Sequence, residues 1–141
     1  MQTCQINNLN ICHIHLDPFD STGKIRDNQI KHVMSVYDDK NNSFIVGDFN
    51  EINLSDYDEK TMSYMNKYES KYFSKYNILN ELDNEYIDLF NNPNKNVYSN
   101  WTLKRVDYIM LSKLNDIKIK QKYIPKVNYS DHFPLVLDLE I

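Results

Sequence analysis

Ser43-Phe44-Ile45-Val46-Gly47-Asp48-Phe49-Asn50 is the stretch around which the chain is organised, because it turns from apolar to polar within two residues. Phe44, Ile45 and Val46 predict a short buried strand, and Gly47 permits the bend after it. In extended geometry Asp48 and Asn50 share one face while Phe49 packs on the other. An acid and an amide then stand at the carboxyl end of a strand, where α/β sheets usually bind ligands. The same residues also suit an ordinary strand ending in an Asx turn, so other segments must decide.

Upstream, Leu9 to Leu16 predicts a strand that Asp17-Pro18 ends, with His15 near its carboxyl end. Lys24 to Tyr37 places Ile30, Val33, Met34 and Tyr37 at helical spacing, with Ser21 and Thr22 as candidate caps. Strand, helix and strand in this order predict a crossover unit with parallel strands. His15, Asp48 and Asn50 then fall on one rim.

Downstream, Glu59 to Leu79 predicts a long polar helix with Tyr64, Tyr68, Tyr72 and Tyr76 along one side. Such a stripe suits base stacking or a lipid headgroup, but more often forms a half-buried helix face. Asn84 to Phe90 predicts a short helix stopped by Asn91-Asn92-Pro93. Arg105 to Leu111 predicts a central strand whose acid, Asp107, needs a partner. Ile117, Ile119 and Tyr123 alternate with lysines, the pattern of an outer strand. The last strand, Leu135 to Ile141, follows Ser130-Asp131-His132-Phe133-Pro134.

With 141 residues, 41% apolar and 26% charged, one α/β domain spanning 1–141 is expected. A net charge of −4 argues against a broad grip on nucleic acid, although a divalent cation can supply positive charge locally. Cys4 and Cys12 are too few for a disulfide framework or a zinc site. The amino terminus carries neither a basic flank nor an apolar run, so no signal peptide or membrane span is expected, and the location is expected to be intracellular.

Four segments thus bring an acid, amide or imidazole to a strand boundary: His15, then Asp48 with Asn50, then Asp107, then Asp131 with His132. Attack of water on phosphorus needs such a set, with carboxylates for a hard cation, a base for water and a cation for developing charge. In the order of these motifs the chain resembles the endonuclease/exonuclease/phosphatase family, related to DNase I. His15-Leu16, with Arg26 and Gln29 in the next helix, is similar to that family's first segment. Gly47-Asp48-Phe49-Asn50, Arg105-Val106-Asp107-Tyr108 and Ser130-Asp131-His132-Phe133-Pro134 resemble its later motifs, and Tyr98 to Thr102 its Tyr-x-x-Trp-Thr run.

The resemblance implies a DNase I-like four-layer α/β sandwich, a mixed sheet with flanking helices, and a metal-dependent hydrolase using Mg²⁺ or Mn²⁺. The implied substrate is a phosphate ester of nucleic acid, a phospholipid or an inositol phosphate. Asp48 would activate water, Asn50 would hold the phosphate, and Asp131 would ligate the metal. His132 would contact the scissile phosphate, oriented by Asp107, and His15 would be a second phosphate or leaving-group contact.

Family domains begin with another half, which brings an Asn and the principal Glu metal ligand. This chain aligns from the middle onward, and none of Glu51, Glu59, Glu69, Glu81 or Glu85 fits that Glu. An apolar sheet face left bare by a lone half would forfeit roughly 1.5 to 3 kcal/mol per large side chain. A partner chain or self-association is then expected over that face. The alternative is a degenerate, non-catalytic half domain that binds a partner.

Overall fold

In a computed structural model of the protein, residues 1–37, 40–68, 78–92 and 95–140 are described. The chain is a mixed α/β domain with a mixed sheet. Strands β1 (Gln2–Ile6), β2 (Leu9–His15), β3 (Ser43–Asp48), β4 (Tyr86–Asp88) and β5 (Asp107–Ser112) form a five-stranded sheet in the order β1-β2-β3-β5-β4. β2 and β3 pair in parallel, joined through helix α1 (Lys24–Val36), as the crossover pattern predicts. All other pairs in this sheet are antiparallel. Strands β6 (Lys118–Tyr123) and β7 (Val136–Glu140) make a separate antiparallel pair.

Alternation along the central strands sends side chains to two faces. Cys12, Ile14, Ile45, Tyr108 and Met110 point to one, where Ile30 and Val33 of α1 and Ile78, Leu79 and Leu82 of helix α3 (Ile78–Asp83) close over them. Leu9, Ile11, Phe44, Val46, Ile109 and Leu111 point to the other, toward Ile119, Leu137 and Leu139 of the β6–β7 pair. That second face is covered by the pair rather than bare, yet Ile11, Val46 and Ile109 stay only partly buried. An apolar cleft of about 620 Å³ runs between the two sheets.

Several local expectations are corrected. The segment from Asn84 to Phe90 is not helical: it contains β4, which pairs with β5. Its Asp88 grips Arg105 in two-pronged fashion, at 3.0 and 2.6 Å, while Asp56 takes the Arg105 Nε at 2.7 Å. These interactions with a distant residue, unlike helix periodicity, fix the conformation. The start of α1 is held chiefly by Asp20 rather than Ser21 or Thr22. Asp20 accepts from the backbone N–H groups of Thr22, Gly23, Ile25 and Arg26, and Thr22 accepts only from that of Lys24.

Helix α2 covers Glu59–Tyr68, the first part of the long helix expected. Of the tyrosine stripe, Tyr64 is exposed, Tyr72 and Tyr76 lie outside the described residues, and the Tyr68 side chain is not described. β6 is an outer strand, as its lysines predict, but in the small sheet. β1 is exposed at all five positions and joins β2 through backbone pairing.

Candidate functional site

The parallel register places His15 beside Asp48, and the antiparallel register places Asp48 beside Asp107. All three lie on the face that carries the apolar cleft. Along that face β2 reads Leu9, Ile11, His13, His15; β3 reads Phe44, Val46, Asp48; and β5, taken backward, reads Leu111, Ile109, Asp107. Each strand thus passes from apolar to ionisable toward the same rim. Gly47 makes the crossing tight: it sits at φ 136°, and a Cβ there would lie 1.9 Å from the Ile14 carbonyl oxygen. No other residue type fits that approach without parting β2 from β3.

The β6–β7 connection delivers His132 to this rim. The segment around Ser99 clips it in place: Phe133 N–H donates to the Ser99 carbonyl at 2.6 Å, Trp101 N–H to the Asp131 carbonyl at 3.1 Å, and Asn100 bridges His132. The His132 Nδ1 lies 2.8 Å from Asp107 Oδ2, and its Nε2 faces Asp48 Oδ2 at 4.0 Å. His15 Nε2 lies 3.8 Å from the same Asp48 oxygen. One carboxylate therefore stands between two imidazoles, and a second anchors one of them.

The electrostatics follow from this crowding. Burial pushes the Asp48 carboxyl above the usual range, and the Asp107 charge adds to the rise, against a hydrogen bond from Asn50 N–H and the pull of His132 and His15. Burial alone would lower the His132 pKa. The hydrogen bond and charge of Asp107, helped by Asp48 and Asp131, outweigh it and hold the imidazole above its ordinary value.

The Asx turn that the sequence left open is present, since Asn50 N–H donates to Asp48 Oδ1 at 2.8 Å, with Asn50 at φ 48°. The Asn50 side chain is buried, and its Nδ2 donates to the Leu16 carbonyl at 2.9 Å. One of two amide hydrogens is thereby used, and Asn50 still lines a cavity of about 170 Å³ with Asp131, His132 and Trp101. Ser99, fully buried inside the Tyr98 to Thr102 run, is a site residue that sequence alone does not reveal: its Oγ donates to Asp107 Oδ2 at 2.6 Å. Its nearness in sequence to the Arg105–Asp107 segment was the only signal.

Asp48, Asp107 and His132 each offer a ligand atom, all within 4.8 Å of one another. Hard cations take oxygen ligands, and two crowded carboxylates, one with a raised pKa, are a charge arrangement that a divalent cation would relieve. The donor set therefore fits such a cation with water completing its shell. Asp131, the metal ligand implied by resemblance, stands outside this close group: it is exposed, and Ser130 Oγ donates to it at 3.3 Å. Glu51 cannot take part, because it is buried against Arg26, 3.1 Å from Nε and 3.0 Å from Nη2.

Compared with protein-family models the chain matches none, and among curated proteins none matches it. No helix among the described residues is long and apolar enough to cross a membrane.

Proposed function

We propose that the chain is a metal-dependent phosphodiester or phosphomonoester hydrolase of the endonuclease/exonuclease/phosphatase family, built as the carboxyl-terminal half of a DNase I-like four-layer sandwich. The observation that carries this reading is the meeting of His15, Asp48, Asp107 and His132 on one rim, with His132 anchored on Asp107 at 2.8 Å. Asp48, with its raised pKa, is the base that takes a proton from water as the water attacks phosphorus. His132, held toward its charged form, faces the negative charge that grows on the phosphoryl oxygens. His15 contacts the phosphate or the leaving oxygen, and the remaining Asn50 amide hydrogen holds a phosphoryl oxygen. Asp48, from the close acidic group, would hold Mg²⁺ or Mn²⁺ through one oxygen and keep the other for the water proton, joined by Asp131 and the Asn50 side-chain carbonyl, which line the adjoining cavity with His132; the ion would neutralise phosphate charge and make water more acidic.

The test is Mg²⁺- or Mn²⁺-dependent hydrolysis of a chromogenic phosphodiester, a nicked DNA and a short RNA. The chain and an amino-terminally extended form are compared, each with its Asp48→Ala variant. Cleavage lost on chelation and in Asp48→Ala is expected; no cleavage by either form rejects the enzyme. The apolar cleft between the sheets favours one second reading, a non-catalytic half domain whose open face docks a partner or another copy. That reading predicts binding without cleavage.

A further inference from the structure

We propose that Ser99 is a positioning residue for the site, its hydroxyl fixing the Asp107 carboxylate so that His132 is held in the Nδ1-protonated tautomer with Nε2 turned to the reaction side. The hydrogen-bond inventory leaves the hydroxyl one arrangement. Its oxygen accepts from the backbone N–H groups of Val106 and Asp107, both at 3.1 Å, which occupies its two lone pairs. Its single hydrogen therefore goes to Asp107 Oδ2 at 2.6 Å. Asp107 Oδ2 is the same oxygen that lies 2.8 Å from His132 Nδ1. A carboxylate only accepts, so the neutral ring must carry its proton on Nδ1, and the Nε2 lone pair points toward Asp48.

Backbone geometry adds a second constraint at the same residue. Ser99 N–H donates to the Lys104 carbonyl at 2.8 Å, and its own carbonyl accepts from Phe133 N–H at 2.6 Å. Ser99 thus holds the acid with its side chain and the loop bearing the imidazole with its main chain. It is fully buried, so bulk water does not compete for the hydroxyl. A serine that merely closed the start of β5 would need the two N–H bonds but not the third. Hydrogen-bond partners behind metal-ligating histidines contribute about 10–100-fold in activity, and a loss of the same order is expected for this Ser–Asp–His arrangement.

The catalytic consequence rests on the hydrolase reading, but the tautomer does not, and the experiment separates them. Imidazole ¹⁵N spectra are recorded for the whole chain at a pH where its four histidines are neutral. His132→Asn assigns the His132 signals. The expected result is one Nδ1-protonated form for His132, a mixture of both tautomers in Ser99→Ala, and return of the single form in Ser99→Thr, with the other three histidines unchanged. In the phosphodiesterase assay Ser99→Ala should lower kcat about 10–100-fold with KM unchanged, and Ser99→Thr should recover most of it. Where Ser99→Ala fails to fold, Ser99→Cys substitutes a weak donor of similar size, and a mixed tautomer is expected there too. A single Nδ1-protonated His132 in Ser99→Ala or Ser99→Cys overturns the inference, as does a Ser99→Thr spectrum matching that of alanine. Tautomer loss in a chain that hydrolyses nothing upholds the positioning role and rejects the proposed reaction.

Discussion

The two faces of the five-stranded sheet are built from alternate residues of the same strands, yet they are packed differently. On the helix side Cys12, Ile14, Ile45, Tyr108 and Met110 are all at most 2% exposed. On the hairpin side Ile11, Val46 and Ile109 are half-buried around an open cleft, and the strands end in His15, Asp48 and Asp107. The closed face can carry stability because nothing there must move or meet solvent. The open face gives up burial and gains access, and its rim is where the ionisable groups gather. Close packing and ionisable groups are thus divided by the two-residue period of a strand.

The sharpest way to break this division is to remove rim groups and watch both properties. On the hydrolase proposed above, His132→Ala and Asp48→Ala should lower phosphodiester hydrolysis by roughly 10²–10⁴-fold while leaving the urea midpoint nearly unchanged. A large midpoint loss in both would mean that the rim carries the fold. Next in size is a pair of neighbours in β5. Met110→Ala, on the closed face, should cost about 2–5 kcal/mol in urea unfolding, and Ile109→Ala, on the open face, less than half of that. Equal losses would erase the distinction.

Acid should act on the closed face through α1. Hydrogen bonds at the start of that helix outweigh burial and hold the Asp20 carboxyl down at about 2. A depressed folded-state pKa gives stability that is present above the unfolded value of about 3.9 and is lost as pH falls toward 2. Asp20→Ala should therefore cost about 1–2 kcal/mol at neutral pH and flatten the decline below pH 4 or so. An unaltered acid limb in that variant would assign the capping role elsewhere. The smallest effect is expected from metal. Calorimetry with Mg²⁺ should show weak binding that Asp48→Ala abolishes and Asp131→Ala reduces, whereas tight binding that survives both would point to other ligands.

How far this arrangement can be read from sequence depends on the range of the forces that set it. The β2–α1–β3 unit was legible because the 3.6-residue period of Ile30 and Val33 and the apolar run Phe44 to Val46 are local signals. The need for an Asp107 partner was legible because a lone acid in a strand is costly, and His132 meets that need. β4 was not legible, since three residues carry no period and Asp88 owes its place to Arg105, 17 positions away. β1 was hidden for the opposite reason: it buries no face, so its polar residues give no pattern, and backbone pairing alone recruits it. Ser99 escaped because one hydroxyl has no signature until its three hydrogen bonds can be counted.

The tight crossing at Gly47 has a consequence at the level of the gene. The chain has no alanine and only two glycines, while asparagine, lysine, tyrosine and isoleucine abound, the mark of codons rich in adenine and thymine. Both glycines stand at positive φ: Gly23 at 80°, where α1 begins, and Gly47 at 136°, where β2 and β3 touch. A bias toward such codons is tolerable wherever side chains are interchangeable. At these two positions backbone geometry limits it, and at Gly47 one nucleotide change to a larger residue would push the codon's product against Ile14 and draw His15 away from Asp48.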